Sequence, residues 1–226
     1  MIPLLHDFTG EVVLVFGGGP VGARKARRFG EEARVVVLSP AFADREFEPE
    51  ERRDPEAGVE LVRVAPAPGD VGTWFDRANP ALAVAATDDE AVNDAAERAA
   101  QEAGALVNRA DVSGDGDRDA RSVVVPATVE DGDVRVAIST GGASPALAKH
   151  LRERIEAELE GAGAMADLTG RLRTELRESD RTPRERRDAV RAVVRSERVW
   201  KALRTGKSKA RQEADRVIRN TGGGER

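Results

Sequence analysis

Apolar residues fall into short continuous runs in the first half of the chain and into helical spacing in the second. Residues 11–16 (EVVLVF) form a run of strand length that ends in three glycines. Pro20 suits the first turn of a helix, and residues 21–32 continue it. Residues 34–38 read as a second buried strand, stopped by Ser39-Pro40. Residues 43–58 are acidic and contain prolines, which predicts a solvated insertion or a short helix. Residues 59–64 alternate like a strand, and 81–86 are another continuous apolar strand. A helix follows over 88–103, closed by Gly104, and 105–107 start one more strand. Strands alternating with helices predict βαβ units and a parallel sheet.

The pattern changes after Asp111. Residues 113–120 (SGDGDRDA) read as a polar loop, and 122–129 and 134–139 as strands around a turn at 130–133. From Ser144 the chain is helical in character, with breaks near 161–163, 179–183 and 205–206. Residues 220–226 read as a frayed end. The predicted class is α/β, in four parts: a nucleotide-binding domain of Rossmann type over 1–112, a β-strand segment over 113–143, an Arg-rich helical domain over 144–220 and a disordered tail over 221–226. Exposed strand edges in the second part invite pairing with another copy, so a homodimer is expected.

Composition narrows the chemistry. Cysteine is absent and the two histidines are His6 and His150. Disulfides, a thiolate nucleophile and a multi-histidine zinc centre are therefore excluded, and no metal site is predicted. No run approaches the roughly 20 apolar residues of a membrane span. The N-terminus has no cationic segment followed by an apolar one, so it does not read as a signal peptide, and a cytoplasmic protein without a membrane partner is expected. Charge is unevenly placed. From Leu151 onward there are 20 Arg plus Lys against 14 Asp plus Glu, and before it 16 against 27. The basic end interleaves its cations with acids and holds one aromatic, Trp200, so no nucleic-acid partner is expected.

Residues 17–22 (GGGPVG) fit G-x-G-x-x-G between a predicted strand and a predicted helix, the context that this pattern requires. Gly17 permits the tight turn, Gly19 lets a pyrophosphate approach the backbone, and Gly22 lets helix and strand pack closely. Gly22→Asp is then expected to block the dinucleotide while the fold survives. A glycine turn without a ligand is the plainer alternative. Dinucleotide folds usually carry Asp or Glu at the end of the second strand; here Leu38-Ser39-Pro40 stands there, and Ser39 can serve only one ribose hydroxyl. No Arg follows immediately to favour a 2′-phosphate, which favours NAD. Thr87 and Asp88 lie where the fourth strand runs out, to touch cofactor, to cap the next helix, or both. Residues 139–145 (STGGASP) make a second Gly-rich turn, with Ser144 as N-cap and Pro145 opening a helix; its N–H groups either bind an anion or only shape the turn. Asn108 and Asp111 fall just past the fifth strand, and Asp111 is the best placed candidate for proton transfer. Two imitations fail. Asp111, Ser113, Asp115 and Gly116 resemble a calcium loop, but Ser122 stands where its closing Glu belongs. Gly206-Lys207-Ser208 resembles the end of a P-loop, but Lys201 stands where its first glycine belongs.

Together these segments resemble the siroheme synthase family: precorrin-2 dehydrogenases, some of which are also sirohydrochlorin ferrochelatases. The resemblance rests on Pro3-Leu4-Leu5 and Gly10, GGGPVGARKA from Gly17, AVAATDDEAVN from Ala83, LVNRAD from Leu106, VVVPATV from Val123 and VAISTGGASPALAKHLRERIE from Val136. It covers roughly the first 160 residues. It implies an NAD site lined by Gly17, Gly19, Pro20, Val21, Gly22, Ser39 and Pro40, with Thr87 and Asp88 beside it. Asp111 would match the family's catalytic aspartate, which also serves iron insertion in bifunctional members. Asn108, Thr140, Gly141, Gly142 and Ser144 would lie near the tetrapyrrole, precorrin-2, and residues 122–139 would join two chains. The substrate's eight carboxylates would meet the Arg-rich helices. Family members often carry Val-Val where this chain has Arg109-Ala110, and the loop after Asp111 is longer and more acidic here. A different class, a non-catalytic NAD-sensing regulatory domain, explains the Rossmann half but not STGGASP.

Overall fold

In the computed structural model, which describes residues 2–111 and 121–221, the first apolar run becomes the centre of a parallel sheet. β1 (Val12–Phe16) lies between β2 (Arg34–Ser39) and β4 (Leu82–Ala85), with β3 (Gly58–Arg63) and β5 (Leu106–Arg109) at the edges. Alternate side chains of β1 and β2 serve opposite layers. Leu14, Phe16, Val36 and Leu38 pack with α2 (Val71–Ala78) and α3 (Glu90–Ala103). Val13, Val15, Val35 and Val37 pack with α1 (Pro20–Phe29). The strands are buried on both faces, which is why they read as continuous apolar runs. The helices after β1 and β4 thus leave to opposite faces, which makes the carboxyl ends of these neighbouring strands the switch point where open α/β sheets take ligands.

Several expectations need correction. Of the two readings of residues 43–58, the short helix is absent and the irregular, mostly exposed insertion holds, with Phe47 buried against the α1 layer. The sequence pattern missed α2, an eight-residue helix whose Val71 and Phe75 face the core. α3 is capped by Asp89, whose carboxylate accepts from the Ala91 and Val92 N–H groups, and not by Thr87 or Asp88. Asn108 lies inside β5 instead of past it. The expected strand at 122–129 is divided: Ser122 makes a single parallel bridge to Val107, Val123 and Val125 pack on the α1 layer, and pairing resumes only at β6 (Ala127–Asp131). The polar loop at 113–120 and most of the tail at 221–226 lie outside the described residues.

The chain divides into two compact units, Met1–Val125 and Pro126–Arg226. In the second, β6 and β7 (Val134–Ile138) form an antiparallel hairpin turned at Gly132, which has φ +57. α4 (Pro145–Leu159) packs on this hairpin. α5 (Ala162–Arg177), α6 (Pro183–Val194), α7 (Glu197–Leu203) and α8 (Lys207–Thr221) enclose a separate core around Leu168, Leu172, Val193 and Val199. The Gly-rich, Pro-containing and Thr-Gly breaks expected from sequence fall between these helices, and Thr182 with Glu185 forms a capping box at α6. A further break at Arg195-Ser196 carries no such signal. Among the described residues no helix is long and apolar enough to cross a membrane.

Candidate cofactor and catalytic site

The glycine turn is shaped by three different demands. Gly17 has φ +113, and a Cβ there would stand 2.3 Å from the Ala86 carbonyl oxygen. Gly22 carries the closest approach: a Cβ would stand 1.9 Å from the Gly17 carbonyl oxygen and 3.7 Å from Val15 Cγ1. Any side chain at Gly22 must break the turn, so the expectation that Gly22→Asp spares the fold is corrected. Gly19 is the residue that faces open space. It is the N-cap of α1, extended at φ −73, with nothing within 4 Å of a Cβ placed on it. No side chain caps α1 and Pro20 has no N–H, so the Val21 and Gly22 amides at the positive end of the helix are open. This is a cradle that fits the pyrophosphate of a dinucleotide.

At the end of β2, Ser39 is buried and its hydroxyl donates to the Ala41 carbonyl at 2.6 Å. Its proton is thus held within the turn. The Pro40 carbonyl accepts from Arg63 Nη1 at 3.0 Å, and the Arg63 guanidinium lies 5.4 Å from the centre of the Phe42 ring. Arg63 is opposite Ser39 in the β2–β3 register, so the sheet brings a cation to the position where sequence neighbours supplied none.

Past β4, Thr87 is tied to Asn93 of α3. Thr87 N donates to Asn93 Oδ1 at 3.2 Å, and Asn93 Nδ2 donates to the Thr87 carbonyl at 2.9 Å. The Thr87 hydroxyl has Asn93 Oδ1 at 2.8 Å and the Asp89 carbonyl at 2.9 Å as acceptors. Asp88 is exposed. Asn93 is 1% exposed, and its side chain also hydrogen-bonds Asp111. Sequence reasoning did not single it out; the available signal was an amide at core spacing with Ala96 and Ala100 on an alanine-rich helix.

Asp111 is two residues beyond β5 and is gripped by Arg109. Arg109 Nε donates to Oδ1 at 2.9 Å and Nη2 to Oδ2 at 2.7 Å. The same guanidinium reaches α3, where Nη1 donates to Asp94 at 2.8 Å and to Glu97 at 2.7 Å. Hydrogen bonds from Arg109 hold the Asp111 carboxyl below its ordinary pKa, aided by Asn93 and opposed by partial burial. Asn108 points elsewhere: its Nδ2 donates to the Val123 carbonyl at 2.8 Å, while its buried Oδ1 has no partner.

The second Gly-rich turn belongs to the other compact unit. Gly141 and Gly142 have φ +65 and +86. The Thr140 hydroxyl accepts from Ser144 N at 3.2 Å, and Ser144 Oγ accepts from Leu147 N at 3.2 Å, which caps α4. The helical part of this unit also carries a cavity of about 380 Å³ between α5 and α6, lined by Arg173, Arg177, Arg186, Arg187 and Arg191 over Leu176 and Val190. Arg186 is held by the Ser179 and Arg181 carbonyls, and Arg191 lies 3.6 Å from Asp188. Arg173, Arg177 and Arg187 have no ion pair among the described residues. No cluster of His, Cys, Asp and Glu suited to a metal occurs among the described residues.

The chain is similar to known proteins over most of its length. A family model described as "Putative NAD(P)-binding" matches residues 4–127, and one described as "Sirohaem biosynthesis protein central" matches residues 131–158. The chain is 31% identical to a precorrin-2 dehydrogenase of Methanosarcina barkeri, over 96% of its own length and 93% of the relative's. It is 33% identical to a siroheme synthase of Actinobacillus succinogenes over 91% of its length, and spans only 38% of that longer protein. The solved structure of SirC, a precorrin-2 dehydrogenase, superposes with a TM-score of 0.64 at 21% identity, covering 97% of this chain and 100% of the other, and so shares the fold.

Proposed function

We propose, from the premise that this chain belongs to the precorrin-2 dehydrogenase family, that it oxidises precorrin-2 to sirohydrochlorin in siroheme or haem synthesis, with NAD as the hydride acceptor. The observation that carries this reading is the convergence at the carboxyl edge of one sheet: an uncapped helix end at Gly19 and, past β5, an anionic Asp111 linked through Asn93 to Thr87. Gly17, Gly19, Pro20, Val21, Gly22, Ser39 and Pro40 would hold the cofactor, with Thr87 and Asp88 beside it. NAD, when bound, takes the hydride that precorrin-2 loses; the accompanying proton leaves to solvent. Asp111 acts as an orienting anion. A carboxylate held below its ordinary pKa is a weak base, yet each of its oxygens keeps a lone pair for a pyrrole N–H. Thr140, Gly141, Gly142 and Ser144 would contact substrate, and Arg173, Arg177 and Arg187, which have no ion pair among the described residues, would take substrate carboxylates; Asn108, expected near the tetrapyrrole, has its free Oδ1 buried and out of a substrate's reach.

The test is turnover of precorrin-2 with NAD by the purified protein, followed through NADH and the visible spectrum of the product, with and without ferrous iron. Absence of NADH formation while NAD still binds would favour an NAD-sensing domain. A second cofactor reading has one observation in its favour, since Arg63 beside Ser39-Pro40 suits a 2′-phosphate; the same assay with NADP separates the two. We further propose a cytoplasmic homodimer without nucleic-acid or membrane partners. Supporting the dimer, the apolar ridge Leu151, Ile155 and Leu159 of α4 is incompletely buried and Leu147 is exposed. A monomeric mass by light scattering at micromolar concentration would count against it.

A further inference from the structure

The Arg109 side chain is only 10% exposed while it contacts three carboxylates. We infer that Arg109 is a positioning residue: its guanidinium fork clamps both oxygens of Asp111 and anchors that carboxylate to α3 through Asp94 and Glu97. The inference rests on the reading of Asp111 as the group that meets the substrate.

The geometry supports a clamp more than a general ion pair. Two parallel N–H···O bonds fix the plane of a carboxylate as well as its position, which a lysine cannot do. The remaining donor, Nη1, spends itself on the two acids of α3, one turn apart on the face next to β5. The arginine is therefore held from one side and holds from the other. Asn93 adds a third hydrogen bond to Asp111 from the same helix and passes the constraint on to Thr87. The charged groups facing the Asp111 carboxylate among the described residues are Arg109 from β5 and, beyond its guanidinium, Asp94 and Glu97 from α3. One cation among three anions leaves the cluster negative. Without Arg109 the three carboxylates would repel one another, and Asp111 would both turn and take up a proton more readily.

The experiment titrates the Asp111 carboxyl directly by carbon-13 NMR, assigned with Asp111→Asn, in the wild type, Arg109→Gln and Arg109→Lys. Wild-type Asp111 should titrate below the ordinary aspartate range, and Arg109→Gln should move it up by about one pH unit or more. Turnover of precorrin-2 should fall about 100-fold in kcat with KM changed little, the acid limb of its pH profile should move upward with the titration, and NAD binding should stay normal. Arg109→Lys, which keeps the charge without the fork, should restore the titration more fully than kcat. Adding Arg109→Gln to Asp111→Asn should cost nothing further, whereas a merely structural arginine would lower the double variant again. A wild-type Asp111 that titrates at the ordinary value overturns the clamp without any variant at Arg109. Wild-type kcat and an unmoved titration in Arg109→Gln, with Asp111→Asn inactive, overturn the clamp alone. Full activity of Asp111→Asn overturns the underlying role of Asp111 instead.

Discussion

Gly19→Asp should make the protein more stable and unable to bind NAD, two effects of opposite sign from one carboxylate. The backbone at Gly19 is already extended, and no atom lies within 4 Å of the new Cβ, so the side chain enters without strain. It lands at the N-cap of a helix that has no side-chain cap. An aspartate there accepts from the open amides of the first turn and meets the positive end of the helix, which stabilises by about 1 kcal/mol. For a unit of this size that is roughly 3–5 °C in Tm. Binding moves the other way because the carboxylate occupies the place of the pyrophosphate. Two charges about 4 Å apart at an effective dielectric near 20 repel by about 4 kcal/mol, which is on the order of 1000-fold in Kd before screening by salt. Thermal unfolding without ligand and calorimetric NAD titration read the two effects separately. Gly22→Asp is the contrasting control: with a Cβ 1.9 Å from the Gly17 oxygen it should lose the fold as well as the ligand. Unchanged NAD affinity in Gly19→Asp would remove this helix end from the site, and a large loss of stability would show that the space at Gly19 is not open.

Lys25 has its pKa lowered from 10.5 to about 8 by burial, with Arg24 and Arg28 adding repulsion. Its folded-state pKa lies below the unfolded one, so stability should rise as pH increases from about 8 to about 10.5, and Lys25→Met should stabilise at neutral pH by up to roughly 3 kcal/mol in denaturant titrations. Arg63→Ala should leave NAD affinity within about threefold and weaken NADP by tenfold or more if the guanidinium meets a 2′-phosphate; equal small effects on both would exclude that contact. Replacing Arg173, Arg177 and Arg187 together by Gln should raise the KM for precorrin-2 at least tenfold while kcat and NAD affinity hold, and an unchanged KM would place the substrate's carboxylates elsewhere. Asp111→Asn should bind NAD normally and turn over about 100-fold more slowly, which single-turnover kinetics can check.

Buried parallel strands announce themselves as apolar runs, and the glycine turn follows from the strand before it and the helix after it. Both signals are local, which is why five strands, α1, α3 and the Ser144 cap were legible in the sequence. α2 was not, because it is short and begins from Pro68-Gly69-Asp70, a sequence that reads as a turn. Val123 and Val125 are apolar because they cover the α1 layer, and burial without regular pairing cannot be told from a strand by pattern. The site divides in the same way. Gly17, Gly19 and Gly22 were found from spacing, but their separate burdens appear only when Ala86 and the Gly17 carbonyl are placed around them. Arg109 was visible as a departure from pattern, and what it does depends on partners 12 and 15 residues away on another element. Arg63 comes to Pro40 across a strand pairing, 23 residues off.

The charge distribution then explains how an acidic unit can serve a polyanionic substrate. Residues 1–125 carry 14 cations against 24 anions, and the Asp111 cluster itself has one cation among three carboxylates. On the proposed reading of Asp111, such a cluster would repel the carboxylate rim of precorrin-2 and attract the N–H groups at its centre. It would then select the orientation of the macrocycle as well as hold it. The second unit carries on α5 and α6 three arginines that have no ion pair among the described residues, and these are the proposed partners of the substrate's carboxylates. On this proposal capture and orientation fall to different residues, and ionic strength should separate them. Added salt should raise KM steeply by screening the exposed arginines. It should leave kcat nearly unchanged, because the Arg109–Asp111 contact is partly buried and screened much less. A kcat that fell with salt in parallel with 1/KM would mean that the same charges do both jobs, and the division of labour argued from the two clusters would be wrong.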